Sequence, residues 1–205
     1  MRIIVATNNK GKAKEFKEVL ADISAEVLTL KDIGMVSDPE ENGETFAENA
    51  RIKAMDVYEK LKAAGEEKDT IVMADDSGLC IDFLGGEPGV KSARFMGHST
   101  PYNEKNRAIL DLLKDAGDGD RGASFVCHVC TVLPDGRVID AESEMRGSIA
   151  EEAKGGEGFG YDPIFYVPEY GKTGGELTPE EKNAVSHRGK VLRKVRELLC
   201  REMNL

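Results

Sequence analysis

Arg2-Ile3-Ile4-Val5-Ala6-Thr7-Asn8-Asn9-Lys10-Gly11-Lys12 begins with a short apolar strand and runs into a polar turn. Lys10 to Leu20 continues as a helix, with Ala13, Phe16, Val19 and Leu20 on one face. A strand leading through a turn into a helix predicts an α/β chain, and the pattern repeats outward from here. Val27 to Leu30 reads as a second strand. Residues 31 to 44 read as an acidic loop containing Gly and Pro. Thr45 then opens a helix, with Glu48 placed for a capping box and Ala47, Ala50, Ala54, Val57 and Leu61 as its apolar stripe.

Thr70 to Ala74 predicts a strand that stops at Asp75-Asp76-Ser77-Gly78, and Leu79 to Phe83 predicts another. Thr100 is expected to cap a helix with Pro101 at its first position and Ile109, Leu112 and Leu113 on its buried side. Ala123 to Leu133 and Arg137 to Met145 read as a hairpin around Pro134-Asp135-Gly136. Thr178-Pro179-Glu180-Glu181 starts another helix, and a C-terminal helix buries Val191, Leu192, Val195, Leu198 and Leu199. Hairpins and crossovers together imply a mixed sheet with flanking helices.

The chain has 205 residues, enough for one domain or one domain of two lobes. Lys plus Arg is 28 and Asp plus Glu is 38, which leaves a net charge of −10. Such an acidic chain is a poor nucleic-acid or anionic-membrane binder, because phosphate backbones select surplus cations. A small polyanion is still accommodated if cations gather in one place or a divalent metal helps. No apolar run approaches the roughly 20 residues needed to span a bilayer. The start reads as a strand instead of a signal peptide, so a cytoplasmic protein is expected. Cys127 and Cys130 form a C-x-x-C within an alternating run, where a spacing of three puts the thiols on opposite faces of a strand.

Several clusters carry candidate chemistry. Thr7 to Lys12 leads into a helix N-terminus, where backbone N–H groups, the helix dipole and Lys12 can converge on an anion. An ordinary turn with solvated lysines is the plainer reading of that loop alone. Asp75 and Asp76 at a strand end can face Mg²⁺, a hard ion that takes oxygen ligands, or can form an Asx turn. The acidic loop 38–44 precedes a helix that bears Asn49 and Lys53 one turn apart. Gly155-Gly156-Glu157-Gly158-Phe159-Gly160-Tyr161-Asp162 suits close backbone approach. Phe159 and Tyr161 there offer flat faces for a nucleobase, and Asp162 offers an acceptor. Lys182 and Ser186-His187-Arg188 supply donors for an anion or carbonyl.

Taken together, these segments resemble the inosine triphosphate pyrophosphatase family, the dITP/XTP pyrophosphatases. The resemblance rests on A-T-N-N-K-G-K, E-N-G-E-T-F-A-E-N-A-R-I-K-A, A-D-D-S-G-L, L-G-G-E-P-G-V-K-S-A-R-F, G-F-G-Y-D-P-I-F and S-H-R-G-K, in the family's order over almost the whole chain. One departure is Asn8, which stands where the family's first motif commonly has Gly.

The resemblance implies an elongated mixed sheet with flanking helices, and one two-lobed domain over 1–205 with a cleft between its lobes. It implies a homodimer, Mg²⁺, and hydrolysis of aberrant purine nucleoside triphosphates to the monophosphate and pyrophosphate. By motif position, Glu41 and Asp76 would hold the metal, and Asp76 would serve as general base, with Asp75 as its rival. Thr7, Asn8, Asn9, Lys10, Gly11, Lys12, Lys53 and Lys182 would meet the phosphates, and Ser77 would hydrogen-bond substrate. Phe159 would stack on the base, with Gly160, Tyr161, Asp162, His187 and Arg188 lining its pocket. A donor aimed at O6 of hypoxanthine or xanthine would reject adenine by about 10⁴ or more. The alternatives are a pyrophosphatase for another modified nucleotide and a non-catalytic nucleotide-binding module.

Overall fold

The computed structural model describes residues 1–117 and 119–203. Seven strands, β1 (Arg2–Val5), β2 (Glu26–Thr29), β3 (Thr70–Ile81), β4 (Gly122–Val132), β5 (Val138–Ile149), β6 (Phe165–Val167) and β7 (Lys172–Thr173), form one sheet in the order β2-β1-β3-β4-β5-β6-β7. β1 pairs in parallel with both β2 and β3, while β5–β6 and β6–β7 are antiparallel, so the sheet is mixed as expected. Among the described residues five α-helices accompany it: α1 (Lys10–Val19), α2 (Phe46–Ala63), α3 (Tyr102–Leu112), α4 (Pro179–Val185) and α5 (His187–Met203).

The chain divides into two compact units. Unit 1 comprises Met1–Asp76, Cys127–Ser143 and Arg188–Leu205, and unit 2 comprises Ser77–Val126 and Glu144–His187. Unit 1 has a core on each face of its strands. Ile3, Val5, Ile71, Met73, Cys127 and Val129 pack against Phe16 and Leu20 of α1 and Val191, Leu192, Val195 and Leu199 of α5. Ile4, Ala6, Val72, Ala74, Cys130 and Val132 pack against Ala50, Ala54, Val57, Tyr58 and Leu61 of α2. The period of two along each strand produces this sorting, and it sends Cys127 and Cys130 to opposite faces. Unit 2 has its own core, built on Leu79, Ile81, Phe125, Met145, Ile149, Ile164 and Phe165 with Ile109 of α3 and Leu113 at its C-terminal cap.

Local signals set the helix starts. The Thr45 hydroxyl accepts from the Glu48 N–H at 3.2 Å, and the Glu48 carboxylate accepts from the Thr45 N–H at 3.1 Å. The same reciprocal box forms between Thr178 and Glu181.

Three expectations are corrected. β3 does not stop at Asp75-Asp76-Ser77-Gly78 but runs through to Ile81, with its two carboxylates paired to cations distant in sequence. Pro101 is the cap residue of α3, whose first helical residue is Tyr102. Leu112 is 52% exposed, because α3 ends there and the core contacts fall to Ile109 and Leu113.

Candidate active site

Alternation along β3 separates the two adjacent aspartates of unit 1. Asp75 lies on the α1/α5 side and is fully buried. Its Oδ2 meets Lys12 Nζ at 3.0 Å and the Arg188 Nε at 3.1 Å, and Arg188 also donates to Glu15 Oε2 at 2.6 Å. Burial by itself would push Asp75 up; Lys12, Arg188 and Lys53 outweigh it and hold the carboxyl well below the usual carboxylate range. Asp75 therefore favours its ionised form and anchors Lys12 and Arg188.

Asp76 lies on the α2 side. Its Oδ1 is 3.3 Å from Lys53 Nζ, and its Oδ2 accepts from Asn49 Nδ2 at 3.2 Å. Lys53 also reaches Glu41 Oε2 at 2.9 Å. The capping box starts α2 one turn ahead of Asn49, and the helical spacing of four then brings Asn49 and Lys53 to the same carboxylate. Burial raises Asp76 above the ordinary carboxyl value, Glu41 and Asp75 add to the rise, and Lys53 and Lys12 only partly offset it. Lys53 is raised in turn, because the carboxylates of Asp76, Asp75 and Glu41 outweigh its burial.

The donor set at Glu41 and Asp76 suits a hard divalent cation. Two carboxylates share one ammonium, which leaves the cluster with surplus negative charge. Among the described residues no group of three or more His, Cys, Asp and Glu is arranged to hold a metal. Two protein carboxylates completed by substrate phosphate and water is the usual manner of Mg²⁺.

The N-terminal turn is only partly open to an anion. Asn9 Oδ1 takes the N–H groups of Gly11 at 2.9 Å and Lys12 at 3.1 Å, so the cap itself uses two of the expected donors. Asn9 N–H donates to Thr7 Oγ1 at 3.1 Å, and Asn8 Nδ2 donates to the Ser37 carbonyl at 3.1 Å. Met96 is the non-glycine residue with a positive φ among those described, so Asn8 sits in ordinary backbone and its place does not require Gly. Lys10 is exposed and Gly11 half-buried at this turn.

In unit 2, Asp162 Oδ2 accepts the Phe159 N–H at 2.7 Å and pairs with Lys182 at 2.6 Å. The Lys182 ammonium also stands 4.4 Å from the Phe159 ring centroid. Phe159 is 39% exposed and presents its ring. Tyr161 does not: it is buried, its hydroxyl donates to the Ser92 carbonyl at 2.7 Å, and its ring meets Tyr102 edge-on at 5.2 Å. The glycines of this loop serve close approach to the chain itself. A Cβ on Gly155 would collide with the Gly175 carbonyl and one on Gly158 with the Asp162 carboxylate, and both have positive φ. Gly160 also has positive φ and its carbonyl accepts from Asn106 Nδ2 at 3.2 Å. His187 stacks on Phe125 at 5.0 Å, and Ser77 is half-buried on β3.

The structure thus brings together Lys12, Asp75 and Arg188 on one side of β3 and Glu41, Lys53 and Asp76 on the other in unit 1, and Phe159, Gly160, Asp162 and Lys182 in unit 2. Sequence reasoning did not find Glu15 as a partner of Arg188 or Asn49 as a partner of Asp76. The spacing of four between Asn49 and Lys53 was the one signal for the latter.

The sequence profile of the Ham1 family matches residues 3–198. The chain belongs to the Ham1 family. A dITP/XTP pyrophosphatase of Clostridium perfringens is 46% identical over 97% of this chain and 97% of its own length. One from Bacillus subtilis is 43% identical over 96% of each. The Ham1 protein of Coxiella burnetii superposes with a TM-score of 0.87 at 37% identity, covering 98% of this chain and 99% of that one. The Staphylococcus aureus Ham1 protein gives 0.85 at 36% identity, covering 98% and 100%. This Ham1 chain therefore has the α/β fold and the family that its six motifs imply.

Proposed function

We propose that this Ham1 chain is a nucleoside triphosphate pyrophosphatase. It hydrolyses dITP, ITP and XTP to the monophosphate and pyrophosphate and so clears aberrant purines from the nucleotide pool. The observation that carries this reading is the buried Asp76 carboxyl, 3.2 Å from Asn49 and 3.3 Å from Lys53, with Glu41 2.9 Å from the same ammonium; burial raises the Asp76 carboxyl. A carboxylate so tuned is a better proton acceptor than a solvated one. The names borne by the Clostridium perfringens and Bacillus subtilis relatives support the substrate class.

Asp76 takes a proton from water as that water's oxygen bonds to the α-phosphorus, and the bond from the α-phosphorus to the bridging oxygen breaks. The departing pyrophosphate carries away the electron pair. Lys53 and Lys12 stabilise the charge that develops on the phosphates. Glu41 and Asp76 would hold Mg²⁺, which when bound supplies charge neutralisation and acidifies water. In unit 2, Phe159 takes the purine face and Lys182 presents an ammonium beside it. Asp162 fixes both of them. Arg188 acts through Asp75 within unit 1.

The protein works as a cytoplasmic homodimer in this reading, with a small-molecule nucleotide as its partner. No helix among the described residues is long and apolar enough to cross a membrane. The test is a pyrophosphate-release assay on ITP, XTP, GTP and ATP, with Mg²⁺ and with EDTA. Metal-dependent release from ITP and XTP, with little from ATP or GTP, is expected. Orthophosphate as the product would refute attack at the α-phosphorus, and no turnover by folded protein would favour a nucleotide-binding module.

A further inference from the structure

Asn49 is wholly buried on the first turns of α2, yet it carries a fully polar side chain. Its Oδ1 accepts the Gly43 N–H at 2.9 Å, and its Nδ2 donates to Asp76 Oδ2 at 3.2 Å. The backbone donor fixes which way the amide faces: the end that accepts is committed to Gly43, so the end that donates must meet Asp76. The backbone comes close enough only because residue 43 has no side chain. A Cβ there would lie 2.8 Å from Asn49 Oδ1 and 2.6 Å from Glu48 Cβ.

We infer that Asn49, anchored by Gly43, is a positioning residue that locks the rotation of the Asp76 carboxylate. The final torsion of an aspartate is soft and roughly two-fold, so a buried carboxylate is not oriented by its rotamer alone. Here one oxygen is held by Asn49 and the other faces Lys53. The lock keeps a chosen lone pair in place for proton transfer. Displacement of about 1 Å at a reacting group can cost on the order of 100-fold in rate. This inference rests on Asp76 being the base, as proposed above.

Asn49→Asp keeps the acceptor for Gly43 and removes the donor to Asp76. Its kcat for pyrophosphate release from ITP is expected to fall by about 10- to 100-fold, with KM held within about threefold. Gly43→Ala pushes the amide without deleting it and is expected to give the same split; it carries the test if Asn49→Asp does not fold. A readout independent of turnover comes from the melting temperatures of Asn49→Asp, Asp76→Asn and the double variant. The swap rebuilds an amide–carboxylate pair, so the double variant should melt above the sum of the two single effects while turnover stays lost. Additive melting, or a loss confined to KM, would overturn the inference. Turnover by Asp76→Asn within about tenfold of wild type would instead sink the role of Asp76, whatever the melting cycle shows.

Discussion

The same substitution made at two neighbouring positions should change stability in opposite directions. Asp75→Asn leaves Lys12 and the buried Arg188 facing a neutral amide, and Arg188 then keeps only Glu15 of its two carboxylates named above. Breaking a buried pair costs about 3–5 kcal/mol, and the lower end applies because Lys12 retains some access to solvent. At roughly 2–4 °C per kcal/mol for a chain of this size, the melting temperature should drop by about 6–12 °C.

Asp76→Asn removes a charge that its surroundings disfavour, so melting should hold or rise by a few degrees while turnover is lost. The pH dependence follows the two signs. Asp75 is depressed in the folded state, so its contribution is complete above the unfolded value near 4 and fades as pH falls below it. The gap between wild type and Asp75→Asn should therefore narrow in acid. Asp76 is raised, so its ionisation weakens the fold as pH rises through its folded value, and the advantage of Asp76→Asn should appear above pH 4 and persist at neutrality. Thermal melts of the three proteins between pH 3 and 8 measure all of this. Asp75→Asn melting at or above Asp76→Asn at pH 7 would refute the assignment of the two carboxylates.

Phe159→Ala should raise KM for ITP by about tenfold with kcat within about threefold, because base stacking is worth about 1–3 kcal/mol, and steady-state kinetics read this directly. Burial pushes the Cys130 thiol up to about 12 and Cys127 beyond the ordinary range, so maleimide labelling of native protein followed by mass spectrometry should mark Cys80 and Cys200 first.

Local rules were legible wherever the partners lie close in sequence. The box at Thr45, the helix start at Thr178, the opposite faces of Cys127 and Cys130, and the hairpin around Pro134 to Gly136 all follow from spacing alone. β3 was misread as two strands because Asp75-Asp76-Ser77-Gly78 has turn chemistry when taken by itself. The groups that make those carboxylates tolerable come from far away: Arg188 is 113 residues from Asp75 and 173 from Glu15. Periodicity cannot reveal such pairings. The same holds for Asp162, whose acceptor reads as open from sequence but is taken by Phe159 and Lys182.

Neither unit is a continuous stretch of chain, and this bears on synthesis. Unit 1 is begun by the first 76 residues and finished only by Arg188–Leu205. Val191, Leu192, Val195 and Leu199 of its core, and the guanidinium that pairs with Asp75, are therefore synthesised only after the whole of unit 2. Until then the nascent chain holds a bare apolar strand face and, at Asp75, a carboxylate without its guanidinium partner. A premature stop anywhere before residue 188 would leave that state permanent, and a quality-control protease would find an open substrate, however complete unit 2 might be.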